Sequence, residues 1–180
     1  SWRFVVEERE KRRARETFSR FLAPAVVEDL LGTSGQLRLG GEKRDLTVLF
    51  ADIRGFTTLS EKLDPRVLIE LLNEYLTPMT DIIVQDNLGT LDKYIGDAIM
   101  AFWGAPVPDA DHAKNAVITA LEMQQALHGL NPELLAKGWP ELKIGVGVNT
   151  GTMTVGDMGS PVRKAYTVRG DAVNLGSRLE

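Results

Sequence analysis

Asp52 and Asp97 are the residues of this sequence whose type and setting best suit chemistry. Asp52 follows a run of apolar residues, Leu46 to Ala51, and Asp97 follows Gly96 in a short turn. In a sheet of ferredoxin-like topology, a first strand's end and this later hairpin turn are neighbours in space. Two carboxylates there, in a chain with only two histidines (His112 and His128) and no cysteine, suit hard cations such as Mg²⁺ or Mn²⁺. Two such ions about 3.5–4 Å apart activate a hydroxyl and stabilise a phosphoryl transition state. Taken alone, Asp97 also reads as an ordinary Gly-Asp turn residue and Asp52 as a helix cap. The residues after Asp52 favour the chemical reading. Ile53-Arg54-Gly55-Phe56-Thr57-Thr58 passes from strand to helix at a glycine. Free N–H groups at a helix start, beside a metal-binding carboxylate, make a triphosphate cradle, so Gly55, Phe56 and Thr57 are candidate substrate contacts. The chain has no Gly-Lys-Ser/Thr, which excludes a Walker A loop, and Gly145-x-Gly147 lacks the third glycine of a dinucleotide fingerprint.

The elements that must position these groups follow an α/β pattern from Asp45 onward. Leu46 to Ala51 is apolar at nearly every position and suits a central strand buried on both faces. Leu68, Leu71, Leu72, Tyr75, Leu76, Met79, Ile82 and Ile83 fall at helical spacing after Pro65, which suits a first helical turn. Pro78 is expected to kink or split that helix. Thr90–Ile95 and Ala98–Trp103 flank Gly96-Asp97 as a hairpin. Asp109 is a candidate cap for a third helix with Ala113, Ala116, Val117, Ala120, Leu121 and Leu127 on its apolar face. His112 lies near that helix start with no metal-ligand partner in sequence, and Phe102 and Trp103 read as core. Leu142–Val148 reads as a strand with Ile144, Val146 and Val148 on one face; Gly145 and Gly147 lie on the other, where something must approach closely. A turn at Thr150-Gly151 and an apolar stretch Met153–Val155 follow, and the last segment, from Gly170 to Glu180, reads as helical. The order β-α-α-β-β-α-β, then a strand and a helix, predicts an α+β, ferredoxin-like βαββαβ sandwich, an antiparallel sheet with helices on one face.

Composition bounds the function. The chain has 180 residues, enough for one domain with a helical appendage. Without cysteine it has no disulfide scaffold, thiolate zinc site or cysteine nucleophile, and two histidines cannot make a multi-histidine metal site. A net charge of −4 gives no reason to expect nucleic acid as a partner. No apolar run approaches the roughly 18 residues of a membrane span, and no signal peptide is visible, so the chain reads as soluble. Residues 1–31 form a separate N-terminal segment. Its first twenty positions hold seven Lys/Arg and four Glu without Gly or Pro, which describes an exposed helix. Such a helix serves as a solvated linker or as a parallel coiled coil that carries a signal from an upstream sensor or membrane region. Phe18 to Leu31 is more apolar and is expected to pack on the domain of residues 32–180. Within that domain, Gly32 to Gly41 reads as turns around a short strand at Leu37–Leu39. The basic start suggests a cytoplasmic domain on a membrane-attached parent.

Three motifs in order carry a resemblance. Phe50-Ala51-Asp52-Ile53-Arg54-Gly55-Phe56-Thr57 resembles the first metal motif of the class III nucleotide cyclases. Lys93-Tyr94-Ile95-Gly96-Asp97 resembles their second. Tyr166-Thr167-Val168-x-Gly170-Asp171-x-Val173-Asn174-Leu175-x-Ser177-Arg178 resembles their third. The similarity covers roughly Arg44 to Glu180. The family converts a nucleoside triphosphate into a 3′,5′-cyclic monophosphate and pyrophosphate, as a head-to-tail dimer with active sites at the interface.

The resemblance assigns roles. Asp52 and Asp97 would bind two Mg²⁺ or Mn²⁺ ions, with the Ile53 carbonyl as a further ligand. Lys93 and Thr167 would read the base from the other chain of a homodimer. Asn174 would orient the ribose, and Arg178 would contact the phosphate in the transition state. Asn174 and Arg178 are i and i+4, so they share one helix face. Lys93 can donate to adenine N1 but cannot accept from guanine N1–H, and the family's guanylyl members carry an acid there. The resemblance thus implies an adenylate cyclase acting on ATP for signal transduction. Thr167 stands where many relatives have aspartate, as in a branch often linked to bicarbonate stimulation. Arg163 and Lys164 read as solvated turn residues, with triphosphate contact as the alternative. The family has further strands beyond the position of Arg178, with a second phosphate-binding lysine, so a chain ending at Glu180 is expected to be an incomplete catalytic domain with low or no activity. The alternative from another class is a non-catalytic nucleotide-binding or dimerisation module; intact Asp52, Asp97, Asn174 and Arg178 argue against it. A diguanylate cyclase would carry a Gly-Gly-acid-acid hairpin where this chain has Ile95-Gly96-Asp97-Ala98.

Overall fold

The computed structural model describes residues 2–19, 22, 27, 31, 41–160 and 164–180. Helix α1 (Trp2–Phe18) comes first, then β1 (Glu42–Ile53), α2 (Phe56–Lys62) and α3 (Pro65–Asp81). A π-helical turn, Ile82–Asp86, leads to β2 (Thr90–Ile95) and β3 (Ala98–Trp103). Then come α4 (His112–Ala136), β4 (Ile144–Gly159), β5 (Lys164–Arg169) and α5 (Asp171–Arg178). The sheet order is β2-β3-β1-β4-β5, with every neighbouring pair antiparallel. The first four strands have the expected ferredoxin-like arrangement, and β5 extends it beyond β4. Leu37–Leu39 and Arg163 lie outside the described residues.

β1 is apolar on both sides because both sides are covered. Leu49, Ala51 and Ile53 pack with Leu71, Tyr75 and Met79 of α3 and with Ala116, Met123, Leu127 and Leu134 of α4. Leu46, Val48 and Phe50 point the other way, into a smaller cluster with Met100, Phe102, Met153, Tyr166, Val168 and Val173. The two long helices therefore share one face as expected, and α5 helps to cover the other. Leu22 and Val27 are buried in that second cluster, so these two residues do pack on the domain. Phe102 and Trp103 are core. His112 starts α4, and its Nδ1 lies 2.6 Å from the Thr47 hydroxyl, a structural tie between helix and sheet. In α1, Glu7–Lys11 and Arg12–Glu16 pair at i, i+4, as an exposed helix of mixed charge should.

Local expectations need five corrections. Val117 and Leu121 do not face the core: both are exposed, and the buried side of α4 is formed by Ala116, Thr119, Met123 and Leu127, since the buried stripe is rotated about the helix axis from the expected one. Pro78 does not split α3, which runs on to Asp81. A proline removes only its own rung, and Leu71, Tyr75 and Met79 keep the stripe buried across it. Asp109 is not the N-cap of α4, which is Asp111. Instead the Asp109 carboxylate accepts from the Asp111 N–H and the Asn115 amide, each at 2.8 Å, and shapes the approach to the helix. Leu142 is buried but precedes β4, because the Asn131 side chain takes both its N–H and its carbonyl at 2.9 Å. No turn occurs at Thr150-Gly151: β4 passes straight through, pairing Thr150 with Thr47 and Gly151 with Leu46. Gly151 serves close approach, since a Cβ there would lie 2.8 Å from the Ala172 Cβ of α5.

The close approach inferred for Gly145 and Gly147 is present. A Cβ on Gly145 would meet the Arg54 guanidinium, with Nη2 the nearest atom. One on Gly147 would lie 2.6–2.8 Å from backbone atoms of Gly176, Leu179 and Glu180. Backbone cannot yield as a side-chain tip can, so Gly147→Ala must push α5 off β4. The expected loss is about 1–3 kcal/mol, read as a lower urea midpoint. A midpoint equal to wild type would show that α5 does not sit this close.

Candidate functional site

Asp52 and Asp97 meet at the C-terminal end of β1. β1 carries Asp52 as its penultimate residue, and the β2–β3 turn carries Asp97. The Asp97 Oδ2 accepts from the Ile53 N–H at 2.7 Å, which fastens the turn to the strand end. The Asp52 Oδ1 is buried without a hydrogen-bond partner, and its nearest cation is Arg54 Nη1 at 4.0 Å. A buried, unpartnered carboxylate oxygen beside a second carboxylate fits a hard divalent cation better than it fits an empty core. Among the described residues no cluster of three or more His, Asp or Glu is arranged to hold a metal, so the chain offers a pair of acids.

Two further groups face this pair. Tyr75 is fully buried with an unpartnered hydroxyl, and burial followed by the charges of Asp97 and Asp52 pushes its pKa upward. Glu180, just past α5, has its carboxyl raised by burial and then by Asp52, with Arg54 opposing and Asp97 adding. Helical spacing placed Tyr75 on an apolar stripe but not beside these acids, and no motif pointed to Glu180, since both arrive from distant elements.

Gly55 turns the chain from β1 into α2 at φ 67°, which explains the glycine. Phe56 packs its ring on the first core, and Thr57 is exposed. α2 is only seven residues long. Asn174 and Arg178 lie exposed on α5, which packs on β1 and β4 across Gly147, Gly151 and Gly176.

Lys93 and Thr167 come together by a route that strand order hides. β2 and β5 are opposite edges of the sheet, yet the Thr167 hydroxyl donates to the Asp92 Oδ2 at 2.5 Å. The sheet curls, and Tyr166 of β5 lies against Phe102 of β3 with ring centroids 6.1 Å apart. Asp92 sits at a register shift between Leu91 and Lys93, so it is buried while its neighbour Lys93 is exposed. Lys93 Nζ lies 3.7 Å from the Asp92 Oδ1. Asp92 was not legible in the sequence, because β2 reads Thr90-Leu91-Asp92-Lys93-Tyr94-Ile95 and an acid beside a lysine there looks like a solvated strand position. Among the described residues, no hydrogen bond or ion pair joins Lys93 or Thr167 to Asp52 or Asp97.

Fold and site together define a nucleotide cyclase domain of α+β architecture. The family model for the adenylate and guanylate cyclase catalytic domain matches residues 41–180, and the chain belongs to that family. It is 38% identical over 168 residues to an adenylate cyclase of Anabaena cylindrica, covering 91% of this chain and 31% of the relative. It is also 38% identical over 138 residues to adenylate cyclase 1 of Rhizobium meliloti, covering 77% of this chain and 21% of the relative. The chain thus spans under a third of the length of these curated relatives. Among solved structures, the adenylyl cyclase CyaB from P. aeruginosa superposes with a TM-score of 0.76 at 42% identity, over 78% of this chain and 73% of that one. The guanylyl cyclase Cya2 gives 0.75 at 42% identity, over 78% and 71%.

Burial raises the Asp92 carboxyl above the usual range, against the pull of the Thr167 hydroxyl, Lys93 and the Val168 N–H. The folded chain therefore takes up that proton more readily than the unfolded one. Ionised Asp92 costs stability above its folded pKa, and the cost fades as pH falls towards the ordinary aspartate value. Asp92→Asn should raise the thermal midpoint more at pH 7 than near pH 4. An equal gain at both would contradict a raised carboxyl.

Proposed function

We propose that this chain is the catalytic domain of an adenylyl cyclase, converting ATP into 3′,5′-cyclic AMP and pyrophosphate. The observation that carries the reading is the buried, unpartnered Asp52 oxygen beside Asp97, in a chain that belongs to the cyclase family. The ribose 3′-oxygen attacks the α-phosphorus in line; the new P–O bond forms as the bond to the pyrophosphate oxygen breaks, and the hydroxyl proton leaves to solvent. Asp52, Asp97 and the Ile53 carbonyl would hold two Mg²⁺ or Mn²⁺ ions, which when bound supply Lewis-acid activation and charge neutralisation. The first turn of α2, from Gly55 to Thr57, faces the triphosphate. Asn174 orients the ribose, and Arg178 stabilises charge on the α-phosphate as it becomes five-coordinate. Lys93 donates to adenine N1, and Thr167 reads the same edge. Lys93 and Thr167 share no polar contact with Asp52 or Asp97 within the chain, which supports a two-fold homodimer in which one protomer supplies the metal side and its partner the base side.

Overall similarity leaves the base open, since CyaB and Cya2 are equally identical to this chain. Lys93 is the residue that favours ATP. It presents only donors, and guanine would set its own N1–H against them.

Cyclic nucleotide production from ATP and from GTP with Mn²⁺ tests the reading. Cyclic AMP is expected, and Asp97→Ala should lower it about 100-fold or more through lost charge stabilisation. Full activity in that variant would remove the acid pair from the mechanism. Lys93→Glu should cut the ATP-over-GTP preference at least about tenfold, because a carboxylate accepts where the ammonium donated. An unchanged preference would mean that Lys93 does not face the base.

A further inference from the structure

We propose that Asp92 is a positioning residue that sets base choice by fixing the direction of the Thr167 hydroxyl bond. The inference rests on the adenylyl reading above and deepens it. A threonine hydroxyl has one proton and two lone pairs, and by itself it reads a donor or an acceptor equally well. Here the proton is committed. The Thr167 hydroxyl lies 2.5 Å from the Asp92 Oδ2, a carboxylate that can only accept while ionised. Burial raises the Asp92 carboxyl, and the Thr167 hydroxyl and Lys93 Nζ, 3.7 Å from the other oxygen, oppose that rise and favour the ionised form. Thr167 therefore offers a ligand lone pairs alone. Lone pairs accept from the exocyclic amino group of adenine and repel the O6 of guanine at the same place.

The backbone builds this arrangement on purpose-made irregularity. The register shift between Leu91 and Lys93 turns Asp92 inward, with its side chain 0% exposed, and leaves the Lys93 side chain 47% exposed. A regular strand would turn these two neighbours to opposite faces, yet here Lys93 Nζ stays 3.7 Å from the Asp92 Oδ1. The curl of the sheet then brings Thr167 from the opposite edge. Asp92 and Thr167 are both buried within the single chain, at 5% and 6% exposure, and the Asp92 side chain has no exposed surface with which to meet the base. It acts through Thr167, which gives it a signature that a merely structural acid lacks.

The test is competition for a fluorescent ATP analogue, in Ca²⁺ without turnover, by ATP and by GTP. Wild type, Asp92→Asn, Thr167→Val, Thr167→Ser and the double variant Asp92→Asn/Thr167→Val are compared. Asparagine can present its N–H to Thr167 and free the hydroxyl proton to meet guanine O6. Asp92→Asn should therefore lower the ATP-over-GTP preference about tenfold, the scale of one well-placed hydrogen bond. Thr167→Ser should keep the preference, and in the Thr167→Val background Asp92→Asn should change it no further. Preference retained in Asp92→Asn, or lost equally in the Val background, overturns the proposal. A wild-type chain that binds neither nucleotide sinks the adenylyl reading and this inference with it. One measurement needs no variant: the Thr167 hydroxyl proton should exchange slowly with solvent by NMR, and fast exchange overturns the assignment.

Discussion

β1 runs through the middle of the sheet with both faces buried, and the rest of the structure depends on that burial. Its alternate residues feed two separate clusters, one under α3 and α4 and one under α5. A strand held on both faces cannot shift register without moving every side chain to the wrong side. Its end is therefore a fixed point. Asp52 stands there, and the Ile53 N–H holds Asp97 to the same point by a 2.7 Å bond. The two acids are thereby kept at the same end of the sheet.

The glycines of β4 and α5 do a second job of the same kind. Gly147, Gly151 and Gly176 let α5 lie almost on the backbone of the sheet. The helix bearing Asn174 and Arg178 is thereby set close to the strands that carry the acids. Close backbone packing of this sort leaves little freedom for the helix to slide. Arg54 over Gly145 and Glu180 past α5 complete the charged surroundings of Asp52.

The other end of the chemistry rests on curvature. β2 and β5 are the outer strands of the sheet, and only a pronounced curl lets Thr167 reach Asp92. Twist accumulates across antiparallel strands, and the 16-residue β4 is long enough to carry it. Lys93 and Thr167 are therefore gathered around Asp92 with no polar contact to Asp52 or Asp97, the arrangement that the proposed two-fold dimer would use.

Much of this was legible in the residues themselves. The apolar run of β1, the Gly-Asp hairpin and the helical spacing after Pro65 are local patterns, and local patterns survive in any context that buries them. The acid pair was legible because Asp52 ends a strand and Asp97 fills a turn, and topology brings such ends together. What failed locally failed for tertiary reasons. Gly151 looks like a turn residue, but it is small because Ala172 presses on it. Leu142 looks like strand, but Asn131 claims its backbone first. Asp92, Tyr75 and Glu180 had no legible partners, because each meets its neighbour through folding of elements far apart in the chain. The sequence alone determined the elements, the acid pair and the family, since these depend on residue type and spacing. Only the tertiary structure decided that Thr167 bonds to Asp92 and that Tyr75 and Glu180 lie near Asp52, because that depends on burial and on contacts that no spacing records.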